Sequence, residues 1–294
     1  MIERSITFGE SGGLIGTLLE VGADVRTKAN VGFIFFNAGI VHRVGVHRMN
    51  VLLARRLALQ GIPSIRFDLA GVGDSARAGG QHPYNEQAVM DIQAALDALG
   101  EAAGVTRFVL YGMCSGAVHS YAAALADKRV VGMAMFDIYK YPTMKARLRE
   151  ILFRVKKHRT LAAVIKQIAV VMKRKLTHAL QRLGKVGATE ETIVVSNVGF
   201  FATRPPKAEF AHGLRTLLDR GTKIILIYAG GGFDHYNYDD QFKDAFKNFG
   251  ITEQIEAAFL RNVDHTATRL AAQAELCSCV VRWATQFAAK PENA

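Results

Sequence analysis

The hydrophobic positions along this chain fall into short apolar runs separated by longer amphipathic ones. Residues 5–21 alternate in polarity and turn at Gly12-Gly13, the pattern of an antiparallel hairpin. Beyond it, residues 32–36 read as a buried strand, 46–60 as a helix and 64–68 as a second strand. The same reading gives an amphipathic helix over 86–99, strands over 107–111 and 130–136, and a further strand over 223–228. A helix over 241–248, a last strand over 254–260 and a last helix over 271–289 complete the series. Strands alternating with helices after a hairpin predict an α/β fold, a mostly parallel central sheet with helices on both faces.

The alternation breaks between residues 138 and 208. Within that interval a basic, helix-favouring run over 144–183 carries Ile151, Leu152, Val155, Leu161, Val164, Ile165, Ile168 and Val171 at near-helical spacing. The predicted organisation is a core built from 1–137 and 209–294, with 138–208 inserted as a helical cap over the strand ends. Charge follows the same division. The net charge is +11, yet 145–185 alone holds thirteen Lys/Arg against one acid, Glu150, so that segment carries +12 and the rest −1. This excess is too local for a nucleic-acid-binding domain and fits a surface facing something anionic, or, more plainly, a solvated helix pair.

The 294 residues, 50% of them hydrophobic, suffice for a full core. Three cysteines, two of them close together as Cys277 and Cys279, give an odd count with no disulfide pattern, which favours a reducing, cytoplasmic setting. The first residues have no apolar signal core, and the best later candidate, 161–172, contains Lys166 and is too short to span a bilayer. A soluble protein is expected, one that need not avoid membrane surfaces.

The chemistry concentrates at Gly112-Met113-Cys114-Ser115-Gly116, between the strand over 107–111 and a helix rich in small residues over 117–124. Two glycines flanking a sharp strand-to-helix reversal expose the side chain midway between them, the arrangement of a nucleophile elbow. Register selects the apex: Cys114 has Gly112 and Gly116 in the required places, whereas Ser115 would have Met113 in one of them. Cys114 is therefore the candidate nucleophile and Ser115 a candidate backbone N–H donor. A thiol attacks as thiolate, and the start of the following helix together with a nearby histidine would favour the anion.

These features resemble the α/β-hydrolase superfamily over nearly the whole chain. Beside the elbow, residues 67–75 (Phe67-Asp68-Leu69-Ala70-Gly71-Val72-Gly73-Asp74-Ser75) resemble its glycine-rich loop after the fourth strand, and 53–61 the helix before that strand. More narrowly, Arg43-Val44-Gly45-Val46-His47-Arg48 is similar to serine-aminopeptidase-like hydrolases associated with exosortase systems. The resemblance implies a base on the loop after the last strand, which is where His265 falls, and imidazole titrates in the right range for that task. It implies an acid after the strand ending at Tyr228, where Asp234 is nearest; Asp239, Asp240 and Asp137 remain open, and Asp264 reads as a loop cap. The second oxyanion donor is expected on the loop after Phe36, at Ile40, although Ala38-Gly39 replaces the family's His-Gly. Gly39, Arg43, His47 and Arg48 are candidate substrate contacts for a carboxylate or phosphate, or else helix-start residues paired with the cap.

Residues 71–73 alone are too weak for a nucleotide site, and no HExxH, CxxC or P-loop lysine occurs, so no metal or cofactor is expected. The leading expectation is an acyl-transfer hydrolase of thioesterase or esterase type with a Cys-His-Asp triad and a thioester acyl-enzyme. An acyltransferase drawing on coenzyme A or a carrier protein, both anionic like the partner sought for the cap, is the alternative. A non-catalytic module on an anionic surface is the third.

Overall fold

The computed structural model describes residues 1–22, 29–80, 82–157, 204–231 and 236–288. Its strands are β1 (Ile2–Phe8), β2 (Leu14–Glu20), β3 (Gly32–Phe35), β4 (Ser64–Phe67), β5 (Phe108–Met113), β6 (Val130–Phe136), β7 (Lys223–Ala229) and β8 (Glu256–Leu260). They form one 8-stranded sheet in the order β1-β2-β4-β3-β5-β6-β7-β8. The hairpin β1–β2 is antiparallel, β2 meets β4 antiparallel, and every pair from β4 through β3 to β8 is parallel. This is the α/β-hydrolase fold.

Pleating divides the strand residues between two cores. Ile34, Leu110, Met133 and Leu226 face one side, where α2 (Tyr84–Ala103), α3 (Ser115–Ala126), α5 (Lys207–Asp219) and α6 (Gln241–Phe246) cover them. Phe33, Phe35, Tyr111 and Ile227 face the other, under α1 (Met49–Ala58) and α7 (Leu270–Ala284). Burial on both sides is why the central strands read as continuous apolar runs rather than alternating ones.

Helix boundaries differ from the periodicity in two informative places. The helix expected from residue 46 starts only at Met49, because His47 (φ 49°) and Arg48 (φ 63°) are left-handed. The helix expected over 86–99 continues to Ala103 and stops at Gly104, whose φ of 69° and N–H bond to the Gly100 carbonyl form the cap. Of the expected cap insertion over 138–208, the structure describes 138–157, which include α4 (Met144–Lys157), and 204–208, of which 207 and 208 already belong to α5, while 158–203 lie outside the described residues. The core resumes with α5, where Phe210 is fully buried and its ring lies 5.1 Å from Tyr121, 5.3 Å from Tyr139 and 5.8 Å from Tyr141. That aromatic cluster fixes the chain leaving β6 and with it one member of the site.

Candidate active site

β5 ends at Met113 and α3 begins at Ser115, so Cys114 makes the whole reversal, at φ 55° and ψ −119°. For a residue with a side chain this region costs on the order of 1–3 kcal/mol, tolerated where the surroundings over-determine it. Here the Cys114 N–H donates to the Phe136 carbonyl at 2.9 Å, and its own carbonyl accepts from Ala117 N–H at 3.1 Å. The glycines are required by close approach. A Cβ at position 112 would lie 2.3 Å from the Gly116 carbonyl oxygen, and one at 116 would lie 2.7 Å from that of Asn37. Cys114 thus stands half-buried at the C-terminal edge of the sheet, with the Ser115 backbone N–H hydrogen-bonded to its sulfur.

His265 sits on the turn after β8. The preceding Asp264 shapes that turn by accepting N–H bonds from Thr266 at 3.0 Å and Thr268 at 3.1 Å, as expected of a loop cap. Nδ1 of His265 is 2.6 Å from Oδ2 of Asp137, and its side chain also hydrogen-bonds to Cys114. The bond to Asp137, with that to Cys114 second, raises the imidazole pKa to about 10. Reciprocally, the bond to His265 draws the Cys114 thiol below its ordinary range, against the opposing effect of burial. Both shifts favour a thiolate beside an imidazolium.

Asp137 is the residue just past β6, with its carboxylate fully buried and its backbone at φ 55°. Its N–H donates to the Ile227 carbonyl at 2.8 Å, and Oδ1 accepts from Ala229 N–H at 3.0 Å and Lys140 Nζ at 3.1 Å. The remaining oxygen is aimed at His265. Asp234, the first choice from the sequence, lies outside the described residues, and the contact expected of it at Nδ1 is made by Asp137. Of the other candidates, Asp239 pairs with Arg261, and Asp240 is exposed at the start of α6, with no side-chain bond to that helix and none to His265 among the described residues.

The loop after β3 is fastened to both the elbow and the loop after β4. Gly39 N–H donates to Ser115 Oγ at 2.7 Å. The Asn37 amide donates to Val41 O and to Asp68 Oδ1, each at 2.7 Å, and accepts from Leu69 N–H at 2.6 Å. Ile40 follows with its side chain exposed, and its N–H has no partner among the described residues. The loop therefore carries an unengaged N–H next to the residues that hold Ser115.

Arg43, one of the candidate substrate contacts, is engaged within the protein. Its Nη1 lies 2.6 Å from both Asp68 Oδ2 and Asp74 Oδ2, and its backbone N–H bonds to Asp68 Oδ1 at 2.7 Å. Asp68 has no exposed side-chain surface, so the guanidinium is the counter-charge that permits a carboxylate there. His42, Asp68 and Asp74 hold donor atoms within 4.8 Å of one another, and the Arg43 cation fills that acidic corner. His47 and Arg48 are exposed and unpaired among the described residues, and Gly39 faces open space. His119, one turn into α3, is a packing residue. Burial pushes its pKa down to about 4, and its ring is 5.4 Å from that of Tyr84.

The profile described as serine aminopeptidase, S33, matches residues 38–191, just over half of the chain, spanning the loop after β3, the elbow and Asp137. The chain belongs to the S33 serine aminopeptidase family. No curated protein sequence matches it. Among solved structures, the Pyrococcus furiosus esterase Pf2001 is similar with a TM-score of 0.59 at 12% identity, over 98% of this chain and 92% of that one. XC6422 from Xanthomonas campestris, described as an α/β serine hydrolase without lid, gives 0.57 at 14% identity over 99% and 97%. The α/β-hydrolase GrgF from Penicillium sp. sh18 gives 0.56 at 15% identity over 99% and 100%. Within an S33 family named for serine, this member carries cysteine at the elbow apex. The features least visible in its sequence are Lys140 on the buried acid, a local contact three residues from Asp137, and the Asn37–Asp68–Arg43 lattice, which joins the loops after β3 and β4.

Proposed function

We propose that this S33 member is an acyl-transfer hydrolase of thioesterase or esterase type in which Cys114, His265 and Asp137 act as the triad. The observation that carries the reading is the hydrogen-bonded chain from Asp137 Oδ2 through His265, 2.6 Å away, to the Cys114 sulfur at a strained apex. The Cys114 thiolate attacks the acyl carbon, and the carbonyl π pair moves onto oxygen. Backbone N–H groups of Ser115 and Ile40 receive that oxyanion. As the intermediate collapses, the leaving alkoxide or thiolate takes a proton from the His265 imidazolium, leaving a Cys114 thioester.

With its proton given up, the neutral imidazole of His265 becomes the base that takes a proton from the incoming water as the water oxygen adds to the thioester carbon. Collapse then breaks the C–S bond, releasing the acid and returning the Cys114 thiolate beside the imidazolium. Asp137 holds the ring through Nδ1 in both half-reactions and stabilises each imidazolium. Lys140 and Ala229 N–H occupy the other oxygen and keep the carboxylate in that orientation. A thiol or alcohol acceptor in place of water would turn the same intermediate into an acyl transfer. The narrower likeness to exosortase-associated hydrolases rests on residues 43–48, where Arg43 has an internal role and only His47 and Arg48 remain free to meet substrate.

The test is initial-rate kinetics on p-nitrophenyl esters and acyl-coenzyme A thioesters. Cys114→Ala is expected to abolish turnover of both, with Cys114→Ser retaining slow hydrolysis. Unchanged turnover in the alanine variant would remove Cys114 from the mechanism.

A further inference from the structure

Helix α4 is mounted with its apolar side outward. Its inward face is held by short polar and small-residue contacts: Ala146 is buried, its carbonyl accepts from Asn237 Nδ2 at 2.9 Å, and Arg149 Nη1 donates to the Asn237 carbonyl at 3.3 Å. Thr143 Oγ1 and the Tyr238 hydroxyl are 2.7 Å apart, and Lys145 Nζ lies 4.4 Å above the Tyr238 ring. Met144 (77% exposed), Leu148 (59%), Ile151 (43%) and Leu152 (58%) point away from the protein. At about 100° per residue these four fall within one arc of about 100°, a continuous apolar stripe. A helix packed only to stabilise a core would bury this face.

The borders of the stripe are basic. Lys145, at the edge where its amine meets the Tyr238 ring, borders the stripe on one side and Arg147 on the other, and from 144 to 157 the sequence has six Lys/Arg against the single acid Glu150. An apolar ridge edged with cations is the pattern of a helix lying in a membrane interface, with hydrocarbon under the ridge and anionic headgroups at its margins. Among the described residues no helix is long and apolar enough to cross a membrane, so the contact would be peripheral. The location gives it a use. α4 follows Asp137 in the chain and is pinned to the loop after β7, at the same sheet edge as Cys114 and His265.

We infer that α4 docks the protein on anionic lipid surfaces and brings the mouth of the site to the bilayer, where an acyl substrate dissolved in lipid would be met. An acidic carrier protein would satisfy the cations, but the outward stripe requires an apolar phase as well, and that favours lipid. The docking does not depend on Cys114 chemistry.

The full-length protein would be sedimented with vesicles of phosphatidylcholine alone or mixed with phosphatidylglycerol, at low and high salt. Binding to the mixed vesicles, weakened by salt and absent with phosphatidylcholine alone, is expected, and Cys114→Ala should bind as wild type does. The combined variant Leu148→Gln, Ile151→Gln and Leu152→Gln, which keeps helix propensity, should partition about tenfold less, with unchanged Tm and unchanged activity on a water-soluble ester. Failure of the wild type to bind mixed vesicles, or undiminished binding by the triple variant, would overturn the inference. So would a fall in Tm, which would mean that the chain itself covers the stripe. Stripe-dependent capture of an acidic acyl carrier protein without vesicle binding would replace lipid with that partner.

Discussion

The sulfur of Cys114, the imidazole of His265 and the carboxylate of Asp137 form a charge-coupled set, and its pH behaviour follows from the direction of each shift. Acylation needs thiolate and imidazolium together, so its rate is expected to rise as the lowered Cys114 pKa is passed and to fall as His265 deprotonates near pH 10. In Cys114→Ser the hydroxyl needs a neutral imidazole, so a pH–rate series should instead rise with alkalinity, with activity lower by about two orders of magnitude or more. Stability carries the same sign: the raised His265 pKa adds stability that is complete below its ordinary value of 6.5 and is lost as the pH climbs towards about 10. Asp137→Asn removes the larger cause of that shift. It should lower kcat by about 10- to 100-fold and move the alkaline limb to lower pH, while Asp234→Asn leaves both unchanged. The elbow with Cys114 at its apex was legible because two glycines and a strand-to-helix switch are local signals. Asp137 stood only among the alternatives, since its choice depends on how close the ends of β6 and β8 come and on a positive φ at the acid itself. Arg43, open in sequence between a substrate contact and a helix-start residue paired with the cap, is held by Asp68 and Asp74 on the loop after β4, a pairing that neither local stretch announces.

At the scale of elements, the elbow and its adjoining loops act as one clamp. Gly116→Ala would drive a Cβ into the backbone carbonyl of Asn37, the residue whose side-chain amide ties down the loop after β3. A loss of about 3 kcal/mol in urea unfolding is expected, with greater loss of activity than a mutation elsewhere in α3. Arg43→Met should cost about 3–5 kcal/mol, because it leaves the buried Asp68 carboxylate without its cation; a change below about 1 kcal/mol in the same unfolding assay would contradict the role given to it. Strand positions were readable from apolar runs and most helices from period, but ends set by backbone conformation were not. His47 and Arg48 delay α1 through left-handed φ values that nothing in their side chains announces. Gly104, by contrast, marks the end of α2 in the usual way, although the apolar period fades earlier.

For the whole molecule, the order of eight strands and the two cores on either side of the sheet bring three separate segments to one edge: the elbow after β5, the acid after β6 and the histidine after β8. The α/β class was accessible from the sequence because alternation of strands and helices is a property of the entire chain. The meeting of Asp137 with His265, 128 positions apart, belongs to topology and could not be read from either neighbourhood. The concentration of positive charge in 145–185 was equally plain, yet only the mounting of α4 distinguishes a solvated helix from an outward apolar ridge. The central claim is covalent acyl transfer through Cys114, and intact-protein mass spectrometry tests it most directly. After brief incubation with acyl-coenzyme A, acyl-carrier and p-nitrophenyl ester donors, the wild type is predicted to gain the mass of one acyl group, and Cys114→Ala none. An adduct of the same size on the alanine variant, or turnover by the wild type with no adduct even when quenched in the pre-steady state, would contradict it.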